Sequence, residues 1–342
     1  MLPVFRNRED RLLPWLQTQL SDMLFTEVPA EYLAGEADLS FMENVPLPVR
    51  KEELYTLSES GLSALSIADN IAVVIGSNTH FKYAEPYLRF LNKLFDRRLI
   101  DVFAGKSGEA FKIGDYKKAM AYVRAGMMFR DDDLKAMFSY ACGCRYWYLQ
   151  LEGSEEDTEL ISILKAEASE YFEHVTSAFP EYAPGWYFLG YAYVNAGQYL
   201  KARIAWQHYM GALTEEEKGS EEAKEIEGRL AELEHPVNIE KGVGLLSAGR
   251  LQEGLSVLEP YVQTEYAKWW PLHFHLAGAY RELGHSEEAI EGYLNVLKLS
   301  PSNTDAMDAL SELYLLAGDD EKSLKYANKA ALIRKQSEED DK

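Results

Sequence analysis

Cysteine, basic charge and long apolar runs are all scarce in this chain, and each shortage removes a class of function. Only two cysteines occur among 342 residues, Cys142 and Cys144. Two thiols two positions apart cannot cross-link a fold of this size, so a disulfide framework is excluded. Lysine and arginine number 35 against 56 aspartates and glutamates, a net charge of −21. That surplus repels phosphate, so nucleic acid is not an expected partner, and it repels anionic lipid headgroups equally. No window approaches the ~18 uninterrupted apolar residues that a membrane helix needs. The amino terminus reaches charge at Arg6 without an apolar signal core. A cytoplasmic location is the expectation that follows.

What is present is apolar and aromatic. Hydrophobic residues make up 47%, with 22 tyrosines and 6 tryptophans, enough to build a core along most of the chain. The length is about twice that of a usual single domain, but helical arrays grow by adding units rather than by enlarging one core. The acidic surface is read first as a source of solubility.

Internal repetition is the strongest signal. In the stretch from Gly185 to Ala202, Trp186, Leu189-Gly190, Tyr193, Gly197 and Ala202 follow one another at fixed steps, with Trp206 beyond them. Small residues such as Gly190 and Ala202 allow two helices to approach closely, the large rings fill the space around them, and Gly197 closes the first helix. The same frame returns in Tyr280, Gly284, Ala289, Tyr293 and Pro301, and 34 residues later in Tyr314, Gly318, Ser323 and Ala327. Gly242, Leu245, Gly249 and Gly254 form a degenerate copy, and Phe103, Ala110, Gly114 and Ala119 an earlier one. Between that earlier copy and the Trp186 copy, Met137, Ala141 and Tyr148 mark one helix, and Ala168, Phe172 and Val175 a second that ends at Pro180.

This pattern resembles the tetratricopeptide repeat. The resemblance implies an all-α fold, a right-handed superhelical α-α solenoid with an N-terminal helical cap. About six helical hairpins are expected across residues 99–336, interrupted by inserts near 151–160 and 214–234. The second insert reads as a long acidic helical extension with a solvated glutamate face. Residues 337–342 read as a disordered acidic tail. Residues 1–98 do not fit the repeat and are expected to form the cap. There Leu13, Leu16, Leu20 and Leu24 form a helical stripe, Val28 to Val49 looks irregular, and Leu54, Leu57 and Leu65 suggest another helix. Tyr87, Leu91, Leu94 and Phe95 give a further helix. Ile71-Ala-Val-Val-Ile fits either a helix ending at Gly76 or a buried strand.

Several site readings fail on spacing. Gly105-Lys-Ser lacks the glycine that a phosphate-binding loop needs five positions earlier, where Ile100 stands. Cys142 and Cys144 point about 200° apart on a helix and are better read as packing residues than as metal ligands. His273 and His275 fail in the same way, and His174, His208 and His285 lie in separate units. No nucleophile elbow or zincin helix occurs, and no carboxylate pair stands out. Catalytic residues, metals and cofactors are therefore not expected.

The resemblance implies instead that the first helix of each hairpin lines a concave face where partner peptides lie. On that frame the face holds Phe138, Arg145 and Tyr146, then Tyr187, Tyr191 and Asn195, then Phe274, Arg281 and Glu282. One subclass grips the carboxylate terminus of heat-shock chaperones with a Lys, Asn and Arg clamp. The corresponding positions here are Ile239, Val243, His275, Asp305 and Ala309, so that ligand is not implied. The function expected is a scaffold or adaptor for a protein or peptide partner. The alternatives are a chaperone for a secreted or apolar client, and an enzyme whose activity lies in the N-terminal region.

Overall fold

The computed structural model describes residues 5–27, 38–152 and 158–340. The insert after Gly153, part of the Val28–Val49 stretch and residues 341–342 of the acidic tail lie outside the described residues. The chain divides into two compact units: Met1–Ala196 with Ile204–Lys218, and Gly197–Arg203 with Gly219–Lys342.

The first unit starts with departures from the helical stripe. Only Leu13–Leu16 is α-helical (α1), followed by a 3-10 segment at Gln17–Asp22 and a strand, Met23–Thr26 (β1). β1 pairs antiparallel with Leu47–Arg50 (β2), Leu24 opposite Val49 and Phe25 opposite Pro48. The leucine spacing misleads because Leu24 is exposed on the strand while Leu16 is buried, so the four leucines do not share one face. Pro48 fits because a two-stranded sheet has only edges, where a missing N–H is tolerated.

Three helices follow: α2 (Leu54–Ser60), α3 (Ala64–Ser77) and α4 (Ala84–Leu94). The ambiguous Ile71–Ile75 run is helical. Ser63 caps α3, its Oγ accepting from the Ser66 N–H at 3.1 Å, and Ile71, Val74 and Ile75 are fully buried. Gly76 lies inside this helix and does not end it.

Among the described residues six pairs of helices then follow. They are α5 (Arg98–Lys112) with α6 (Tyr116–Phe129), α7 (Leu134–Leu151) with α8 (Thr158–Ala178), and α9 (Ala183–Asn195) with α10 (Tyr199–Ala212). After α11 (Glu221–Glu232) come α12 (Glu234–Ser247) with α13 (Leu251–Leu258), α14 (Trp270–Glu282) with α15 (Ser286–Leu299), and α16 (Thr304–Leu316) with α17 (Asp320–Asp340). Among the described residues five hairpin turns use one glycine each: Gly114, Gly197, Gly249, Gly284 and Gly318, with φ between +69° and +80°. A side chain is strained in that region, so each turn glycine terminates its first helix.

Close approach of the paired helices also depends on glycine. A Cβ on Gly190 would sit 2.1 Å from the Trp206 indole nitrogen, and that N–H donates to the Tyr187 carbonyl at 3.1 Å. The acidic 214–234 segment is not one continuous helix. A 3-10 turn at Glu217–Gly219 breaks it, Ser220 caps α11, and Ala223 and Ile226 are buried while the glutamates stay outside. At the other end α17 stays helical to Asp340, through residues expected to be a tail, because no glycine or proline follows Arg334 to stop it.

In the first unit the N-terminal elements are built into the repeat core. α3 packs against α6, and a Cβ on Gly76 would fall 1.9 Å from the Ala121 carbonyl oxygen. The segment before α1 is fastened by charge. Asp10 and Arg124 form an ion pair with side chains only 3% and 2% exposed. The Thr79 N–H and O–H both donate to Asp10, at 3.1 and 2.9 Å. Arg8 and Arg11 both donate to Glu170, and Glu167 faces the same two arginines. Phe5 packs edge-on against Tyr140 and Tyr171.

Candidate functional site

In the first unit the face is built where the first helices α7 and α9 lie side by side. Phe138 on α7 is half-buried among Phe172, Tyr182 and Phe188, with ring centroids 5.1–6.1 Å away. It therefore serves as packing between helices. Arg145, two turns on, lays its guanidinium over Phe188 at 5.2 Å and Tyr191 at 5.9 Å. Its Nε is buried without a hydrogen-bond partner, and among the described residues no carboxylate lies within ion-pair distance of it. In a chain of net charge −21, a cation held by rings rather than by an acid is an unspent hydrogen-bond donor.

Tyr187 and Tyr191 occupy consecutive turns of α9, as a spacing of four dictates. Their rings are 5.2 Å apart, Tyr187 meets Tyr209 at 5.3 Å, and Tyr191 stands edge-on to Trp206 at 5.0 Å. Both are half-buried. Asn195 is exposed one turn beyond, its amide donating to the Tyr148 hydroxyl at 3.3 Å. Tyr146 is exposed but turns the other way, toward Phe111 at 5.0 Å and Tyr116 at 6.4 Å. The structure thus brings Arg145, Tyr187 and Tyr191 together, sets Asn195 against Tyr148, packs Phe138 against Phe188, and turns Tyr146 toward Phe111 and Tyr116.

The second unit holds the remaining three residues. Phe274 on α14 is half-buried against Trp270 and Tyr293. Arg281 and Glu282 are exposed at the helix end, and Arg281 donates to Glu312 on α16 at 3.4 Å. Two contributors stand outside the face read from the sequence, Phe188 and Tyr148, the latter read there only as marking its helix. Phe188 carries the Arg145 cation and Tyr148 orients Asn195. Phe188 is adjacent to Tyr187 and Tyr148 is one turn past Arg145, so helical spacing offered both.

Other motifs resolve into structural roles. Lys106 of the Gly105-Lys-Ser triplet lies inside α5 and pairs with Asp69 at 3.0 Å, while Ser107 is buried. The His273 ring meets the Ala267 carbonyl at 2.8 Å. Among the described residues no group of three histidine, cysteine or acidic side chains could hold a metal ion, and no helix is long and apolar enough to cross a membrane. Cys142 and Cys144 are both free thiols. Burial pushes the Cys142 thiol up to about 12 and raises that of Cys144 as well. Both are expected to react slowly with a disulfide reagent at pH 8 in the folded chain and rapidly in urea. Cys142 is half-buried and Cys144 buried, so fast labelling of the native Cys144 thiol would contradict this reading.

Comparison with known proteins bears on the repeat itself. Residues 271–303, spanning α14 and α15, match the sequence model of the tetratricopeptide repeat. No curated protein matches the chain. Similar solved structures include the TPR domain of P58(IPK), 14% identical, covering 81% of this chain and 73% of that one with a TM-score of 0.44. Another is YrrB, described as a TPR protein with an unusual peptide-binding site, at 16% identity, covering 62% of this chain and 91% of that one, TM-score 0.30. MamA from Desulfovibrio magneticus RS-1 is a third, at 11%, covering 70% and 96%, TM-score 0.26.

Proposed function

The chain belongs to the tetratricopeptide repeat family, and from that premise we propose that it is an interaction scaffold. In this reading it holds a peptide segment of a protein partner on the first-helix face of α7 and α9. The observation that carries the reading is Arg145, a half-buried cation clamped between tyrosine and phenylalanine rings with no carboxylate of its own. A carbonyl or a single carboxylate of the partner would complete its hydrogen bonds. Side chains of the peptide would lie on Tyr187 and Tyr191, whose rings are already fixed by Tyr209 and Trp206 and so lose little entropy on binding.

The partner segment is apolar or aromatic with one acceptor, because the net charge of −21 repels a strongly acidic peptide. Phe274, Arg281 and Glu282 would form a second contact surface on α14, weaker because Arg281 is engaged by Glu312. No catalytic step is proposed, since the chemistry on this face is recognition.

Selection from a displayed peptide library, followed by fluorescence titration of the winning peptide, tests the reading. Tyr187→Ala with Arg145→Ala is expected to weaken binding at least ~30-fold, the scale of about 2 kcal/mol for one central anchor. Helical circular dichroism should be unchanged. Equal affinity for wild type and variant would remove this face from the function.

A further inference from the structure

The α16–α17 hairpin packs on α15 and leaves a second flank of α17 uncovered. One repeat earlier, the same flank of α15 is occupied. Ile290, Leu294 and Leu297 are half-buried in the core that α16 completes with Ala306, Ala309, Leu310 and Leu313. The positions 34 residues on are Leu324, Asn328 and Ala331, and all three are exposed. Leu324 is 63% exposed, and Leu332, which stands where α15 has Lys298, is 57% exposed. Leu315 continues this surface at 59%. Its counterpart Arg281 reaches across the seam to Glu312 on the next hairpin, so Leu315 borders the same seat.

The charge of this flank sets it apart from the rest of the molecule. From Lys322 to Gln336 the helix carries Lys322, Lys325, Lys329, Arg334 and Lys335 and no acid, in a chain of net charge −21. Lys322 is paired with Asp319 and Arg334 with Asp308. Lys325 and Lys329, which flank the leucine stripe at helical spacing, meet no carboxylate within ion-pair distance among the described residues.

We propose that this flank seats an acidic amphipathic helix of another protein, docked on α17 as α16 docks on α15. The resident helix α16 indicates the chemistry required: Asp305, Asp308 and Glu312 with no lysine or arginine, and Ala306, Ala309, Leu310 and Leu313 turned inward. Leu324, Leu332 and Leu315 supply the apolar contact, and Lys325 and Lys329 face the acids of the incoming helix. Asn328 replaces the leucine found one repeat earlier, and a single polar group in such a seam fixes register by demanding a polar mate. This proposal uses other helices than the tyrosine face and does not depend on that reading.

The probe is a fluorescent peptide of residues 303–317 of this chain, titrated with the full-length protein. Saturable binding is expected, weakened about 30-fold or more, the equivalent of about 2 kcal/mol, by Leu324→Asp with Leu332→Asp. Lys325→Glu with Lys329→Glu should weaken it less and flatten its salt dependence. A peptide with Asp305, Asp308 and Glu312 changed to lysine should not bind. Circular dichroism of each variant verifies folding. Absence of binding, or equal binding by the leucine variant or the charge-reversed peptide, overturns the proposal. Sedimentation adds a further outcome: if the wild type dimerises without peptide and the leucine variant does not, a second copy fills the seat and the proposed occupant is wrong.

Discussion

Arg124→Met is expected to lower the stability of the first unit by about 3–5 kcal/mol, the usual cost of leaving a buried charge without its partner. Burial raises the Asp10 carboxyl, but Arg124 and the two Thr79 hydrogen bonds outweigh it and hold Asp10 below the ordinary carboxylate range. Asp10→Asn combined with Arg124→Met should cost less than the two single losses added together, because no charge is then stranded. The lowered carboxyl also fixes the pH response. Its contribution to stability is complete above about pH 4, the unfolded value, and drains away as pH falls through the lower folded value. Asp69, held down against burial by Lys106 and Arg50, acts in the same direction. Urea unfolding of wild type and variant at pH 7 and pH 3 tests this. A variant within 1 kcal/mol of wild type at pH 7 would show that the pair does not fasten the N-terminal segment.

Gly76→Ala should cost at least about 3 kcal/mol, at the severe end of overpacking. Its Cβ would meet the Ala121 carbonyl carbon and oxygen at 2.6 and 1.9 Å. These are backbone atoms inside α6, so no rotamer change relieves the clash and the two helices must move apart. Gly105→Ala provides the contrast with the same chemical change. A Cβ there meets nothing within 4 Å, and the helix should gain up to about 1 kcal/mol. Thermal unfolding of the two variants should therefore shift in opposite directions. Equal shifts would mean that α3 and α6 are not in close contact.

The repeats were legible because their signals are local. Gly197, Gly249, Gly284 and Gly318 each sit where a left-handed turn must fall, and the 34-residue step from Gly284 to Gly318 fixes the frame of the last two hairpins. The N-terminal region was legible only in part, because it is held by contacts distant in sequence. Asp10 finds Arg124 across 114 residues and Arg8 finds Glu170 across 162. Neither pairing leaves a periodic trace. The β1–β2 hairpin was missed because four residues of strand cannot outweigh a leucine spacing that imitates a helix. Of the candidate site, the repeat frame that the resemblance implies puts Tyr187, Tyr191 and Asn195 on the first helix of their hairpin, where the structure has them on α9. Whether a ring such as Phe138 faces outward or packs inward depends on the neighbouring hairpin, which no single repeat encodes. For the same reason removing residues 1–98 would strip α3 from α6 and expose core, so that deletion cannot isolate a function of the cap.

Hydrogen–deuterium exchange with a library-selected peptide bound tests the scaffold reading most directly. The account predicts protection concentrated in Leu134–Leu151 and Ala183–Asn195, the two first helices that present Arg145, Tyr187 and Tyr191. Protection confined to the second helices α6, α8 and α10, with those two segments unchanged, would contradict it.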